Sequence, residues 1–140
     1  MNLNLQNYLQ QLTDKNINKE NIIMNIGLLI EKNISENNPT DYSLLLPSVL
    51  MKLSMTSKDI DEIIASLLIL LKEEPIYSSR IVWCIGKTFD EKKVESLLLA
   101  IIQLKHCDEE TFKQIEFLID VIKNERIIQL FDEIVLLRSK

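Results

Sequence analysis

The side chains best suited to chemistry in this chain lie together at residues 106–110. Here the single histidine, His106, is followed by Cys107 and three consecutive carboxylates. Side chains of all these types can bind zinc. A structural zinc site needs four such ligands in a tetrahedral array, however, and adjacent residues do not usually point at one ion. A helix that ends at His106 and a second that Asp108 caps would explain the same residues. We therefore expect no metal site and no cofactor.

No set of residues has the pattern of a catalytic centre. Cys84 follows Trp83 in an apolar segment, where a thiol is expected to be buried and unreactive. Gly27 and Gly86 stand alone, so no glycine-rich loop is present to bind phosphate. The carboxylates show no pairing that would mark a general acid and base. We expect no catalytic residues, and the chain is predicted not to be an enzyme.

Composition favours a helical, cytoplasmic protein. The chain is 46% hydrophobic and 26% charged, with two glycines and three prolines, fewer turn-forming residues than an all-β protein needs. The first residues do not form a signal peptide, and the longest apolar run, 63–71, is too short to cross a membrane. The two isolated cysteines fit a reducing compartment.

The net charge of -5 makes nucleic acid an unlikely partner, because phosphate binding needs a clustered basic surface. A nucleic-acid-binding repeat protein is kept as the least favoured alternative. Its local positive potential would come from Lys87, Lys92, Lys93, Lys105 and Lys113.

Capping residues and apolar spacing predict eight helices joined by short turns. They span residues 3–12, 18–30, 40–54, 57–73, 75–88, 91–105, 109–123 and 124–137. Residues 35–39 form the clearest loop, and Pro47 is expected to bend the third helix. Pro75 suits the first turn of the fifth helix, which does not need its missing N–H.

Three segments recur at a spacing of 34 residues. A capping residue, a polar residue and a basic residue stand at 56–58, 90–92 and 124–126, and apolar residues follow at matching offsets. A fixed period of this length is typical of stacked repeats. We therefore predict an all-α fold, a right-handed α-solenoid of about four antiparallel helix pairs, in one domain over residues 1–140. An irregular helical bundle is the alternative.

Residues 77–99 carry the best match to a known repeat family. An apolar helix that ends near a small residue, Gly86, is followed by a second helix that Asp90 caps. This arrangement, over about residues 40–138, resembles HEAT-type repeats; the Trp, Leu-Gly, Tyr and Ala/Pro pattern of tetratricopeptide repeats is missing. A small, acidic HEAT-like domain also looks like the all-helical immunity proteins of bacterial polymorphic toxin systems. That resemblance implies a bacterial protein that neutralises a toxin by direct binding.

Stacking of the repeats would align a column of acidic residues on helices four, six and eight, the second helices of their pairs. In curved solenoids the second helices commonly line the concave surface, which binds the partner. We therefore predict an acidic surface that attracts a basic toxin domain. Its residues are Asp61, Glu62, Glu95, Ser96, Gln129, Asp132 and Glu133. The alternative is a solvated helix face that binds nothing.

A second column should join the repeats by ion pairs. We expect Glu91 to approach Lys58 and Glu125 to approach Lys92, which would register successive helices.

Two aromatic residues and the last helix complete the predictions. Trp83 and Phe117 occupy equivalent positions and are expected in the core; exposure of either would make it a candidate hot spot. The last helix is apolar on more than one face, so it could form a homodimer or contact a partner. A general adaptor for protein assembly is the main alternative function.

Overall fold

The computed structural model describes residues 3–34 and 57–139, and this part of the chain is all-α. Its α-helices are α1 (Leu3–Thr13), α2 (Glu20–Ile34), α3 (Ser57–Glu73), α4 (Ser78–Gly86), α5 (Glu91–Leu104), α6 (Glu109–Val121) and α7 (Glu125–Arg138). The predicted all-α class is confirmed for these residues. The loop predicted at 35–39 and the helix predicted at 40–54 lie outside them.

Side-chain caps fix the beginnings of the last three helices. Before α5, Asp90 accepts hydrogen bonds from two backbone N–H groups; Asp108 and Asn124 each accept one before α6 and α7. Each bond satisfies an N–H that has no partner inside its helix. The sequence predicts all three caps, and the structure confirms them. The helices α3, α5 and α7 begin at Ser57, Glu91 and Glu125, with 34 residues from each beginning to the next.

The bounds of three predicted helices are wrong. The helix predicted to end at residue 30 extends to Ile34. In place of a helix over 75–88, a short 3₁₀ turn, Pro75–Tyr77, precedes α4, and α4 ends at Gly86. The chain then turns through Phe89, whose φ of 49° lies in the left-handed region. The helix predicted to reach residue 123 ends at Val121, because Ile122 has extended backbone angles.

The helices lie in two layers. In the odd layer, α1 packs on α3, α3 on α5, and α5 on α7; in the even layer, α2 packs on α4 and α4 on α6. Contacts of α1 with α2, α3 with α4, and α6 with α7 join the two layers. Among the described helices, α1 and α2 belong to different layers, as do consecutive helices from α3 to α7.

The hydrophobic core runs between the layers. On α2 the fully buried Ile23, Ile26 and Ile30 are spaced three and four residues apart, which puts them on one helix face. Their counterparts in the odd layer include Ile63 and Leu67 of α3, which are also fully buried. Within residues 3–34 and 57–139, no helix has the length and apolar character that crossing a bilayer requires.

Both glycines let the even helices approach closely. A Cβ atom at Gly27 of α2 would lie 2.9 Å from Cη2 of Trp83 on α4, and one at Gly86 of α4 would lie 2.5 Å from Cδ2 of Leu118 on α6. Real Cβ atoms do not make contacts this short. A side chain at Gly27 would push against the rigid ring of Trp83, whereas at Gly86 the flexible end of the Leu118 side chain would have to move. The sequence leaves two roles open for Gly86, close packing or a helix end. In the structure Gly86 is the last residue of α4, and Leu118 lies close to it.

A buried ion pair joins two distant turns. The side chain of Lys19, between α1 and α2, is fully buried, and its Nζ lies 2.9 Å from Oε2 of Glu74. The backbone N–H of Lys19 donates to the hydroxyl of Tyr77, with the nitrogen 3.2 Å from the oxygen. The turn between α1 and α2 is therefore fixed to the 3₁₀ turn before α4.

Candidate functional site

The even layer carries an open groove between α4 and α6. It consists of two adjoining cavities of 380 and 330 Å³, which share Trp83, Lys113 and Gln114 in their walls. We call them together the aromatic groove. The polar cavity is also lined by Ser79, Arg80 and Glu110, and the apolar cavity by Gly86, Lys87, Phe89, Phe117 and Leu118. Volumes of this size are typical of pockets that hold a ligand or a few side chains.

Trp83 lines both cavities. One edge of its six-membered ring packs against Gly27 of α2, which restricts the ring on that side. The ammonium of Lys87, the residue that follows the end of α4, lies 5.1 Å from the ring centroid. Lys87 Nζ also lies 3.4 Å from Oε2 of Glu31 on α2. Packing and charge thus hold the ring in one orientation.

Two phenylalanines form the rim of the apolar cavity. Phe117 of α6 is 63% exposed and Phe89 is 51% exposed. The expectation that Phe117 belongs to the core is wrong. The buried face of α6 follows Thr111, Ile115 and Leu118, at spacings of four and three, and Phe117 lies beside that face. Trp83 is half-buried, so it serves both the core and the groove.

Sequence reasoning did not identify Phe89 or Arg80. Phe89 stands in the turn between α4 and α5, where a glycine or a polar residue is usual. Its turn is closed by a hydrogen bond from the backbone N–H of Phe89 to the carbonyl of Gly86, 3.1 Å long, and by the Thr88 hydroxyl, which donates to the carbonyl of Ile85. The sequence does contain a signal for Phe89: a large apolar residue stands between the end of one helix and Asp90, the N-cap of the next, where it is expected to be exposed.

The predicted partner-binding residues lie in the odd layer, away from the aromatic groove. Asp61 and Ser96 line a depression of 250 Å³ between α3 and α5, together with Lys92 and Lys93. Glu62 lies on α3 and Glu95 on α5; the exposed residues Gln129, Asp132 and Glu133 lie on α7.

Two of these carboxylates have cationic partners within the chain. Oδ1 of Asp61, whose side chain is 63% exposed, lies 3.1 Å from Nζ of Lys93. Oε1 of Glu95 lies 3.5 Å from Nε of Arg126. The charges of Asp61 and Glu95 are therefore partly balanced by cations of the neighbouring helices.

The ladder of ion pairs has a different register from the predicted one. Among the described residues, the bridges between helices of the odd layer are Asp61–Lys93 and Glu95–Arg126; Glu91 instead accepts a hydrogen bond from the Asn124 side chain at 2.9 Å. Lys93 also lies 2.9 Å from Oδ2 of the cap residue Asp90. This hydrogen bond lowers the pKa of Asp90 and raises that of Lys93.

The thiols are shielded in the structure. Cys84 is fully buried, and desolvation raises its pKa strongly. Burial, and to a smaller extent the charge of Asp108, raises the pKa of Cys107 to about 11. At neutral pH both are therefore protonated and poorly nucleophilic. Over residues 3–34 and 57–139, no three His, Cys, Asp or Glu side chains lie close enough together to hold a metal ion.

The five lysines considered for nucleic-acid binding do not share one surface. Lys87 and Lys113 line the aromatic groove in the even layer. Lys92 and Lys93 line the depression in the odd layer, and Lys105 follows the end of α5.

Comparison with protein-family models, with curated proteins and with solved structures gave no match.

Proposed function

We propose that this chain is a protein-binding module and that it acts by holding a partner, without catalysing a reaction. The aromatic groove carries this proposal. Trp83 packs against Gly27, while Phe89 and Phe117 beside it expose more than half of their surface. Rigid, partly exposed aromatic residues beside a cavity are typical of interface hot spots, because they add contact area at a small entropic cost.

Within this class, we propose that the chain is a cytoplasmic immunity protein that neutralises a bacterial toxin. Its fold in this proposal is a HEAT-like α-solenoid, which the alternating layers and the common 34-residue spacing of α3, α5 and α7 support.

A general adaptor is the second candidate, and one observation favours it. The chain has two separate surfaces, the aromatic groove in the even layer and the charged depression at Asp61 and Ser96 in the odd layer. An adaptor could hold one partner on each. An immunity protein needs a single partner, so the composition of the complex separates the two functions.

The test is co-expression with the product of the adjacent gene, followed by growth measurement and titration of the purified complex. Phe117→Ala should weaken binding by about thirtyfold, the loss typical of a hot-spot residue. Ile69→Ala is the matched control, because Ile69 is 57% exposed on α3 in the other layer. It should leave affinity and growth protection unchanged.

A second set of variants examines the predicted acidic surface. Charge reversal at Asp61, Glu62 and Glu95 should weaken binding if a basic toxin contacts the odd layer. A complex that neither set weakens would exclude both surfaces. Co-expression without growth protection, with the complex still formed, would exclude the toxin-neutralising role and support the adaptor.

A further inference from the structure

We propose that the aromatic groove binds an acidic linear peptide segment in which an apolar side chain lies beside one or two carboxylates. This inference rests on the protein-binding function proposed above, and it specifies the chemistry of the partner.

The groove has an apolar and a polar half in direct contact. Phe89, Phe117 and Leu118 surround the 330 Å³ cavity, which suits an apolar side chain. Arg80 and Ser79 line the adjoining cavity of 380 Å³, which suits a charged or polar one. Since Trp83 borders both cavities, neighbouring residues of one extended segment can fill the two halves.

The groove is lined by more cations than carboxylates. Arg80, Lys87 and Lys113 line it together with the carboxylate of Glu110. Lys87 is paired with Glu31, so Arg80 and Lys113 are the cations that can contact a partner. Among the described residues Arg80 forms no ion pair within 4.0 Å. Lys113 has only an exposed contact of 3.8 Å to Glu109. Both cations can therefore form an ion pair with a carboxylate of a partner.

The backbone of Phe89 provides independent support. Its φ of 49° lies in the left-handed region, which is costly for a bulky residue, and the ring is 51% exposed. Half of the ring lies in solvent, where a partner can reach it. Strained residues are concentrated at binding sites.

The charges around the groove favour a peptide over a nucleic acid. A single-stranded nucleic acid could stack on the same aromatic residues, but it needs a continuous basic track along its backbone. Here the lining cations are Arg80, Lys87 and Lys113, and Glu110 lies among them, so the groove offers no continuous basic track. A segment with one or two carboxylates needs only Arg80 and Lys113.

The experiment selects a phage-displayed library of short random peptides on the intact chain. Selected peptides are synthesised without tryptophan and titrated by the fluorescence of Trp83, the single tryptophan of the chain. We expect the selected sequences to be net negative, with Leu, Ile or Phe next to Asp or Glu, and to shift the Trp83 emission. Phe117→Ala should weaken their binding by about thirtyfold.

A charge swap tests the electrostatic part. The double variant Arg80→Glu, Lys113→Glu should bind the acidic peptides about tenfold more weakly. It should also gain affinity for versions in which Lys replaces their Asp and Glu. Lys72→Glu, an exposed position at the end of α3 in the odd layer, should change neither affinity.

Three outcomes would overturn the inference: selection of no peptide, selection of basic or uncharged peptides, or binding of fluorescent single-stranded DNA that the Arg80, Lys113 and Phe117 variants abolish. The first two leave the protein-binding function standing if the adjacent gene product still binds. DNA binding would replace that function with a nucleic-acid-binding one.

Discussion

Phe89 and Lys105 are the two non-glycine residues with positive φ among the described residues, at 49° and 58°. Their settings differ. Lys105 directly follows α5, where a left-handed residue commonly ends a helix. Phe89 lies in the turn between α4 and α5 and borders the aromatic groove. The left-handed conformation thus ends a helix at Lys105, whereas at Phe89, in our proposal, it presents a side chain to a partner.

We predict that Phe89→Gly raises the free energy of unfolding by up to about 1 kcal/mol. Relief of about 1–2 kcal/mol of left-handed strain should outweigh the additional chain entropy of glycine, about 0.5–1 kcal/mol. The same variant should weaken peptide binding in the groove. Urea unfolding followed by circular dichroism gives the first quantity, and Trp83 fluorescence titration gives the second.

Lys105→Gly is the matched control for this prediction. It should stabilise the fold by a similar amount and leave peptide binding unchanged, because Lys105 does not line the groove. If Phe89→Gly instead destabilises the chain, the Phe89 ring contributes to the fold and the strain has a structural explanation.

Individual residues were the hardest feature to predict from the sequence. Trp83 and Phe117 are equivalent at an offset of 34 residues, yet one is half-buried and the other is 63% exposed. Sequence spacing identifies a helix face only to within one residue, and a rotation of 100° per residue separates core from solvent. The exposure of Phe117 could therefore not be derived from its position in the repeat.

At the scale of helices, the contact between α2 and α4 depends on a missing side chain. Gly27 of α2 lies directly against the six-membered ring of Trp83. An aromatic ring cannot yield as the end of a flexible side chain can. The distance between these two helices is thus set by Gly27.

We predict that Gly27→Ala lowers the free energy of unfolding by about 1–3 kcal/mol through overpacking. The loss should be much smaller in a Trp83→Leu background, because the smaller side chain leaves room for the added methyl group. Urea unfolding of the two single variants and the double variant, followed by circular dichroism, measures this coupling. Equal losses in both backgrounds would show that the methyl group meets no resistance from Trp83.

Helix beginnings could be predicted well and contacts between helices could not. Asp90, Asp108 and Asn124 act through the backbone of their own helices, so local sequence specifies them. The expected pair of Glu91 and Lys58 depends on how far α5 is shifted along α3. That shift is decided by core packing, and the bridge that forms is Lys93–Asp61.

At the scale of the whole molecule, the Lys19–Glu74 pair connects parts of the chain 55 residues apart. The two side chains differ in exposure, since Lys19 is fully buried and Glu74 is 28% exposed. Removal of either partner should therefore have unequal effects. A carboxylate at the surface can regain water, whereas a buried ammonium cannot.

We predict that Glu74→Ala lowers the free energy of unfolding by about 3–5 kcal/mol, because it leaves the Lys19 charge buried without its partner. Lys19→Met should cost clearly less, since it keeps the packing and leaves only the partly solvated carboxylate. Thermal and urea unfolding of the two variants provide the comparison. Equal losses would mean that the ammonium finds water or another partner once Glu74 is gone.

The sequence indicated the all-α class but not the position of the aromatic groove. Helical spacing and caps are local signals, and they suffice to define the class. The groove combines residues of α4, the turn at Phe89 and α6, so it exists only after α4 and α6 pack together. The predicted acidic column lies in the odd layer, and whether a partner binds there is a question for the charge-reversal variants.

The position of Trp83 has a consequence for α2, which lines neither cavity of the groove. The ring that an occupant would touch also rests on Gly27, and its neighbour Lys87 holds Glu31 of the same helix. By thermodynamic linkage, a ligand at one hundred times its Kd adds about 2.7 kcal/mol to the stability of the state that binds it. If α2 opened away from α4, Trp83 would lose its contact with Gly27, and the free energy of ligand binding would no longer stabilise the chain. Amide protons of α2 would then exchange more slowly when the groove is filled, at a distance from anything the ligand contacts.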